Sequence, residues 1–236
     1  MIAVIYGSSG GIGRALSEAV TASCKYARVF AISRSGTMIT GADNRRAEFT
    51  DEAQLAALAD EIGTAGPVTL CLVASGLLSD GPGLQPEKTY RSLSPDAFGR
   101  VFAANTIAPA LIAKHMLPLM PKSERSVFAA LSARVGSISD NRLGGWHSYR
   151  ASKAALNMLI RNFAIEQARR APGSICVALH PGTVDTRLSK TFQGGVPGEK
   201  LFTPQQSAEY LLGVIDRLRA EDAGKCFDWA GKEVPA

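Results

Sequence analysis

Five apolar residues that break directly onto a glycine cluster open this chain, and the strand-then-helix phrase they begin recurs to its end. Ile2–Tyr6 (IAVIY) is apolar at every position and runs into Gly7-Ser8-Ser9-Gly10-Gly11-Ile12-Gly13. Runs of that kind are strands covered on both faces, as in a parallel sheet. Similar runs at Ala27–Ser33, Val68–Val73, Ser126–Leu131, Ser174–His180 and Lys225–Trp229 predict further strands, with a short one near Arg46–Phe49. Helical spacing fills the gaps between them. Ile12, Leu16, Ala19 and Val20 form one face of a helix over Gly11–Cys24, and Asp51 caps another that runs to about Ile62. Ser94-Pro95 and Thr203-Pro204 each place an N-cap before a first-turn proline, and Gln206 completes a capping box in the second. A long amphipathic pattern covers Ser148–Arg169 and closes at Pro172-Gly173. This alternation predicts an α/β fold, a doubly wound parallel sheet of about seven strands with right-handed crossovers.

Composition removes several function classes. With 46% hydrophobic and 20% charged residues in 236, the chain is neither disordered nor fibrous, and it is long enough for a full core in one domain over 1–236. No apolar run approaches the length of about 18 residues that spans a bilayer, and no basic segment followed by a long apolar stretch marks a signal peptide. Cys24, Cys71, Cys176 and Cys226 are far apart, and His115, His147 and His180 form no ligand-spaced cluster. Reduced thiols, no metal and a cytoplasmic setting are expected. The net charge of +5 is spread along the chain, with only Arg45-Arg46 and Arg169-Arg170 as adjacent basic pairs. Nucleic-acid binders concentrate such charge in a stripe, so no nucleic-acid partner is expected, and no membrane partner either.

The glycine cluster lies between a strand and a helix, where glycines let the backbone approach a pyrophosphate that the helix N-terminus stabilises. Its pattern is G-x-x-x-G-x-G, from Gly7, Gly11 and Gly13, because Leu16 occupies the last glycine position of the commoner dinucleotide fingerprint. The same residues spell G-x-S-x-G, with Ser9 where a hydrolase nucleophile would sit. A nucleophile elbow follows several sheet strands, however, and here a single strand precedes it. The end of the second strand bears on cofactor choice. NAD sites place an acid there for the ribose 2′-hydroxyl, whereas this segment reads Ala31-Ile32-Ser33-Arg34-Ser35. Arg34 suits a 2′-phosphate, which makes NADP(H) the expected cofactor.

Tyr149 and Lys153 are four residues apart near the start of the long helix, so their side chains leave one face. A phenol with a pKa of about 10 is a poor acid–base group at neutral pH unless a neighbouring ammonium stabilises its phenolate. Together with His180-Pro181-Gly182 and Thr186, in this order and approximate spacing, these motifs resemble the short-chain dehydrogenase/reductase family over essentially the whole chain. Gly136-Ser137-Ile138, Gly144-Gly145-Trp146, Tyr149-Arg150-Ala151-Ser152-Lys153 and Phe227-Asp228-Trp229-Ala230-Gly231 are similar to its C-factor-like and sniffer-like carbonyl-reductase branch.

The resemblance implies a three-layer Rossmann fold and an NADP-dependent hydride transfer between nicotinamide and a small carbonyl or alcohol. Tyr149 would exchange the proton as general acid/base, Lys153 would tune it and hold the nicotinamide ribose, and Asn105 would anchor a water of a proton relay. Gly7, Ser8, Ser9, Gly11, Ile12, Gly13, Arg34, Ala74 and Gly76 would line the cofactor, with Glu48 near the adenine. Pro181, Gly182, Val184 and Thr186 would border the nicotinamide. Three departures stand out: Tyr6 where the family has threonine, Val73-Ala74-Ser75-Gly76 where it has two asparagines, and Ser132-Ala133 where the branch has two serines and uses the second. Ser132 is the expected catalytic serine and Ser137 the alternative. A substrate-side loop is expected around 188–202, with Gln193–Gly198 and Ser79–Leu84 as glycine- and proline-rich loops. The resemblance also implies a homodimer or homotetramer. A cofactor-binding signalling or redox-sensor protein with little turnover is the other reading.

Overall fold

The computed structural model describes residues 1–81, 83–194 and 198–236. Pro82 of the Ser79–Leu84 loop and residues 195–197 of the Gln193–Gly198 loop lie outside them. The strands are β1 (Ile2–Tyr6), β2 (Arg28–Ser33), β3 (Asp43–Arg46), β4 (Val68–Val73), β5 (Ser126–Leu131), β6 (Ser174–His180), β7 (Thr183–Val184), β8 (Leu201–Phe202) and β9 (Cys226–Asp228). The helices are α1 (Gly11–Ala22), α2 (Glu52–Ala65), α3 (Pro95–Phe102), α4 (Ala108–Met116), α5 (His147–Arg170) and α6 (Pro204–Arg217).

Seven strands form one sheet in the order β3-β2-β1-β4-β5-β6-β9, every pair parallel. The order reverses between β1 and β4, and this switch point opens a crevice at the carboxyl ends of the strands. Alternate residues of each strand feed two core layers. Ile2, Val4 and Tyr6 pack under α2, α4 and α5, while Ala3 and Ile5 pack under α1 and α6. Both faces are covered, which is why the central strands are predominantly apolar. No helix among the described residues is long and apolar enough to cross a membrane.

The start signals read from the sequence operate as capping interactions. Ser94 accepts from the Ala97 amide, Asp51 from that of Gln54, and Thr203 and Gln206 form the reciprocal box at α6. One strand differs from expectation. β3 occupies Asp43–Arg46, whereas Arg46–Phe49 was expected, because Phe30–Ser33 of β2 pair with the earlier segment and Ala47 and Phe49 turn into the core instead. It is an edge strand of four polar residues, so its ladder is set by β2 and not by its own hydrophobicity.

The glycine loop links β1 to α1 by close backbone contact. Gly7 has φ +92°, which favours glycine, and a Cβ on it would lie 2.8 Å from the carbonyl carbon of Ala74. A Cβ on Gly13 would collide with the carbonyl oxygen of Gly7, whereas one on Gly10 would lie 3.4 Å from it. Tyr6, just before the loop, braces it from below: its ring packs edge-on against Phe49 at 5.5 Å between centroids. The loop therefore tolerates a side chain at one glycine and not at the other. Gly13→Ala should lower Tm by about 4 °C or more, a loss of at least about 1–2 kcal/mol, while Gly10→Ala stays within about 2 °C of the parent in the same thermal melt.

Candidate active site

The helix that carries Tyr149 and Lys153 begins at a tight polar corner. Gly144, Gly145 and Trp146 all have positive φ, and Trp146 is one of two non-glycine residues with that backbone among those described. The Ser148 amide donates to Oε2 of Glu87 at 3.2 Å, which supplies the cap that Trp146 lacks. Tyr149 faces an apolar cluster with Leu78, Leu84, Ala97 and Val101, edged by Ala133, Val135, Trp146 and Leu188. One turn on, Lys153 is buried and donates to the Leu131 carbonyl at 2.8 Å, with its Nζ 5.8 Å from the centre of the Tyr149 ring.

Burial acts on the two groups in opposite senses. It pushes the Tyr149 phenol up to about 12 and the Lys153 ammonium down to about 8. Both shifts favour the uncharged form. An added charge in this crevice would act on both groups through a poorly screened medium.

Asn105 lies between α3 and α4, in a wider turn where the Ala108 amide bonds the Ala103 carbonyl five residues back. Its Oδ1 accepts from the Leu77 amide at 2.7 Å, and its Nδ2 donates to the Leu77 carbonyl at 2.8 Å and to Ser152 Oγ at 3.1 Å. Both amide hydrogens and one lone pair of the oxygen are thus engaged. Gly76 marks where the groups converge: a Cβ on it would lie 3.5 Å from Asn105 Oδ1 and 3.7 Å from Lys153 Nζ.

The expected serine has a different partner. Ser132 Oγ donates to Asn157 Oδ1 at 2.7 Å, two helical turns beyond Tyr149. Its amide still bonds the Leu179 carbonyl, so the β5 pleat continues through it and aims its side chain at α5. The next side chain, Ala133, is the one that packs in the Tyr149 cluster. Ser137 accepts from the Asp140 amide at 3.0 Å and lies 3.5 Å from the Ala236 carbonyl, also away from Tyr149. Neither hydroxyl is directed at the phenol.

The remaining residues line the crevice between β1 and β4. α1 starts at Gly10 without a side-chain cap and has no acid in its first turn, and Arg14 is the first residue whose amide bonds back, to the Gly10 carbonyl. The amides of Gly11, Ile12 and Gly13 are left as donors facing the loop. Ser8 is fully buried and its Oγ has no hydrogen-bond partner among the described residues, nor has the Ser75 Oγ beside Ala74. Ser9 is exposed at the mouth. From the other side, Pro181, Gly182 and Val184 follow β6, and Thr186 comes up to Gly11, where a Cβ would lie 2.7 Å from its Cγ2. β7 and β8 pair Thr183 with Leu201 and Val184 with Phe202, which ties together the ends of the segment expected to form a substrate-side loop.

Arg34 is exposed at the end of β2, and no carboxylate among the described residues pairs with it, although Arg28 pairs with Asp43 and Arg45 with Glu61. Arg46 is similarly free and sits opposite Ser33 in the ladder. Sequence reasoning passed over Arg46; only the β2–β3 register brings it beside Arg34. The Glu48 carboxylate is exposed and accepts from the adjacent Phe49 amide at 3.1 Å. No group of three or more His, Cys, Asp or Glu among the described residues could hold a metal.

Residues 1–195 match the family described as short chain dehydrogenase. The chain belongs to that family. The C-signal of Myxococcus xanthus is 38% identical to it over 136 residues, 58% of this chain and 76% of that protein. The 1-hydroxy-2-glutathionyl-2-methyl-3-butene dehydrogenase of a Rhodococcus strain is also 38% identical, over 57% of this chain and 56% of its own length. Among solved structures, the NADPH-bound carbonyl reductase from chicken fatty liver superposes with a TM-score of 0.84 at 26% identity, covering 100% of this chain and 98% of that one. The fold and the carbonyl-reductase branch agree with the sequence motifs.

Lys153 supplies a test of the site's electrostatics. A lysine whose folded pKa is about 8, against 10.5 when exposed, costs stability at neutral pH; that cost diminishes as pH rises from 8 to 10.5. Lys153→Met should therefore raise Tm at pH 7 by about 3 °C, on the order of 1 kcal/mol after the loss of the Leu131 hydrogen bond. The gain should shrink when the melt is repeated at pH 10.

Proposed function

We propose that this oxidoreductase is an NADP(H)-dependent carbonyl reductase or alcohol dehydrogenase of small, partly apolar substrates. The observation that carries the reading is the buried Tyr149–Lys153 pair, with the Lys153 ammonium beside Gly76, near an uncapped glycine loop. The fit to the cofactor rests on three features of this chain. The free amides of residues 11–13 and the orphaned Ser8 and Ser75 hydroxyls suit a pyrophosphate, and Arg34 with Arg46 suits a ribose 2′-phosphate. Gly182, Val184 and Thr186 would border the nicotinamide, and Glu48 the adenine.

When bound, NADPH supplies a hydride to the carbonyl carbon. The phenol of Tyr149 gives its proton to the carbonyl oxygen, so that the C=O bond becomes C–H and O–H; the reverse reaction returns both. Lys153 supports the phenolate left behind and binds the nicotinamide ribose. A water at the Asn105 main chain would carry the replacement proton from solvent. The cluster around Tyr149, with Trp146, Val135 and Leu188, excludes bulk water and receives an apolar substrate body.

NADPH oxidation over a panel of aldehydes, ketones and quinones, with NADH in parallel, tests this reading. Turnover should prefer NADPH and fall about 100-fold or more in Tyr149→Phe. Arg34→Ala combined with Arg46→Ala should raise the KM for NADPH about tenfold to a hundredfold and leave that for NADH unchanged. Equal use of the two cofactors by the parent, or a fully active Tyr149→Phe, overturns it.

The serine departure yields a second outcome. With Ala133 beside Tyr149, the carbonyl oxygen lacks a second hydrogen-bond donor that is commonly worth about 100-fold. Ala133→Ser should raise kcat about tenfold or more, while Ser132→Ala leaves it within about twofold. The opposite pattern in steady-state kinetics would return the role to Ser132.

A further inference from the structure

Among the described residues two carboxyl groups are buried, and they are held differently. Asp228 faces the Arg134 guanidinium at 3.3 Å and accepts from the amides of Ala230 and Lys232. Glu87 has no cation beside it among the described residues. Its Oε2 accepts from the Ser148 amide alone, and its buried Oε1 has no partner. Pro86 is buried with it, between exposed Gln85 and Lys88, so the chain turns inward here. Taking a carboxyl group out of water is costly unless something compensates it. The compensation is the start of α5, where free amides and the helix dipole favour negative charge.

An ordinary helix carries its own cap, a Ser, Thr, Asp or Asn at the position before its first turn. Here that position holds Trp146, with φ +50°, and its ring is committed elsewhere. It packs edge-on against Tyr149 at 6.3 Å and against Phe192 at 5.0 Å between centroids. The cap comes instead from 61 positions upstream. Glu87 also accepts the Trp146 amide on its main-chain carbonyl, at 2.5 Å. One residue thus grips the chain on both sides of His147, where α5 begins. Arg150 closes the corner, its Nε donating to the carbonyls of Gly144 at 3.2 Å and Gly145 at 3.0 Å. Tyr149 lies between these two fastenings, directly after Ser148 and directly before Arg150.

We propose that Glu87 is a positioning residue for proton transfer by Tyr149, a role that rests on the reductase reading. By capping α5 from outside, Glu87 frees position 146 for an aromatic wall and sets the depth at which Tyr149 enters the apolar cluster. Leu84, three residues before Glu87, packs in that same cluster, so loop and helix are referenced to each other. What the carboxyl group supplies is the place of one accepting oxygen, and not its charge. A reacting group displaced by about 1 Å loses on the order of 100-fold in rate.

Two variants separate position from charge. Glu87→Gln keeps an oxygen at the same reach and removes the charge, whereas Glu87→Asp keeps the charge and draws the oxygens back by one methylene. Rates are measured per folded chain, well below Tm, with NADPH and the panel carbonyl that the parent reduces fastest. The kcat should fall about tenfold or more in Glu87→Asp and stay within about threefold of the parent in Glu87→Gln. The KM for NADPH should stay within about twofold in both. The solvent deuterium isotope effect on kcat should grow in Glu87→Asp alone, as proton transfer becomes limiting. Amide exchange in the unliganded chain reads the same contact without turnover: the Ser148 amide should be protected in the parent and in Glu87→Gln, and exchange faster in Glu87→Asp. A parental kcat in Glu87→Asp, or an equal loss in Glu87→Gln, overturns the proposal. A lower Tm with unchanged kcat per folded chain makes Glu87 purely structural and also overturns it. A parent that reduces no carbonyl of the panel overturns the reductase reading, and this inference with it.

Discussion

One buried amide ties together the parts from which the candidate site is assembled. Asn105 grips both the amide and the carbonyl of Leu77, which fixes the segment after β4, and it donates to Ser152, which fixes α5 between Tyr149 and Lys153. A buried side-chain amide left without partners would destabilise the fold, and this one donates both its hydrogens and accepts at its oxygen. The wider turn between α3 and α4 is what swings Asn105 inward, and such single wider turns inside helices recur at functional sites. Remove that turn and the residue would face the next position around the helix. The three elements that meet at Gly76 would then have no common partner.

Around this anchor the site places two ionisable groups where neither is comfortable charged. Leu131 offers Lys153 a carbonyl, which orients the ammonium without neutralising it. Tyr149 has apolar neighbours on the face it shares with Ala133 and Val135. The arrangement stores electrostatic strain that a bound charge can relieve, which is how catalytic sites commonly shift protonation equilibria. Under the proposed reductase reading, alanine at position 133 would leave the carbonyl oxygen without a hydroxyl donor from that side of the Tyr149 cluster.

Much of this was legible in advance, for identifiable reasons. Central parallel strands are covered on both sides, so Ile2–Tyr6, Val68–Val73 and Ser174–His180 announce themselves as apolar runs. Capping is local, so Ser94, Asp51 and Thr203 could be read from a few neighbouring residues. β3 could not, since a polar edge strand takes its position from its neighbour. The serine question turned on pleat parity. Whether Ser132 or Ala133 faces Tyr149 depends on how far β5 extends, and the Ser132–Leu179 hydrogen bond that settles it joins residues 47 positions apart. Arg46 was missed for the same kind of reason: its proximity to Arg34 exists only through the β2–β3 register.

The bare start of α1 has a consequence for the chain's persistence in a cell. A helix that begins on glycine, with no hydroxyl or carboxylate to receive its first amides, keeps those donors free, and under the proposed function a cofactor phosphate would close them. Whatever binds there adds its own association free energy to the native state by mass action, and the unfolded chain gains nothing from it. On that reading abundance would report supply. When the occupant is plentiful the chain resists unfolding and proteolysis, and when it is scarce the same sequence turns over faster, without any change in synthesis.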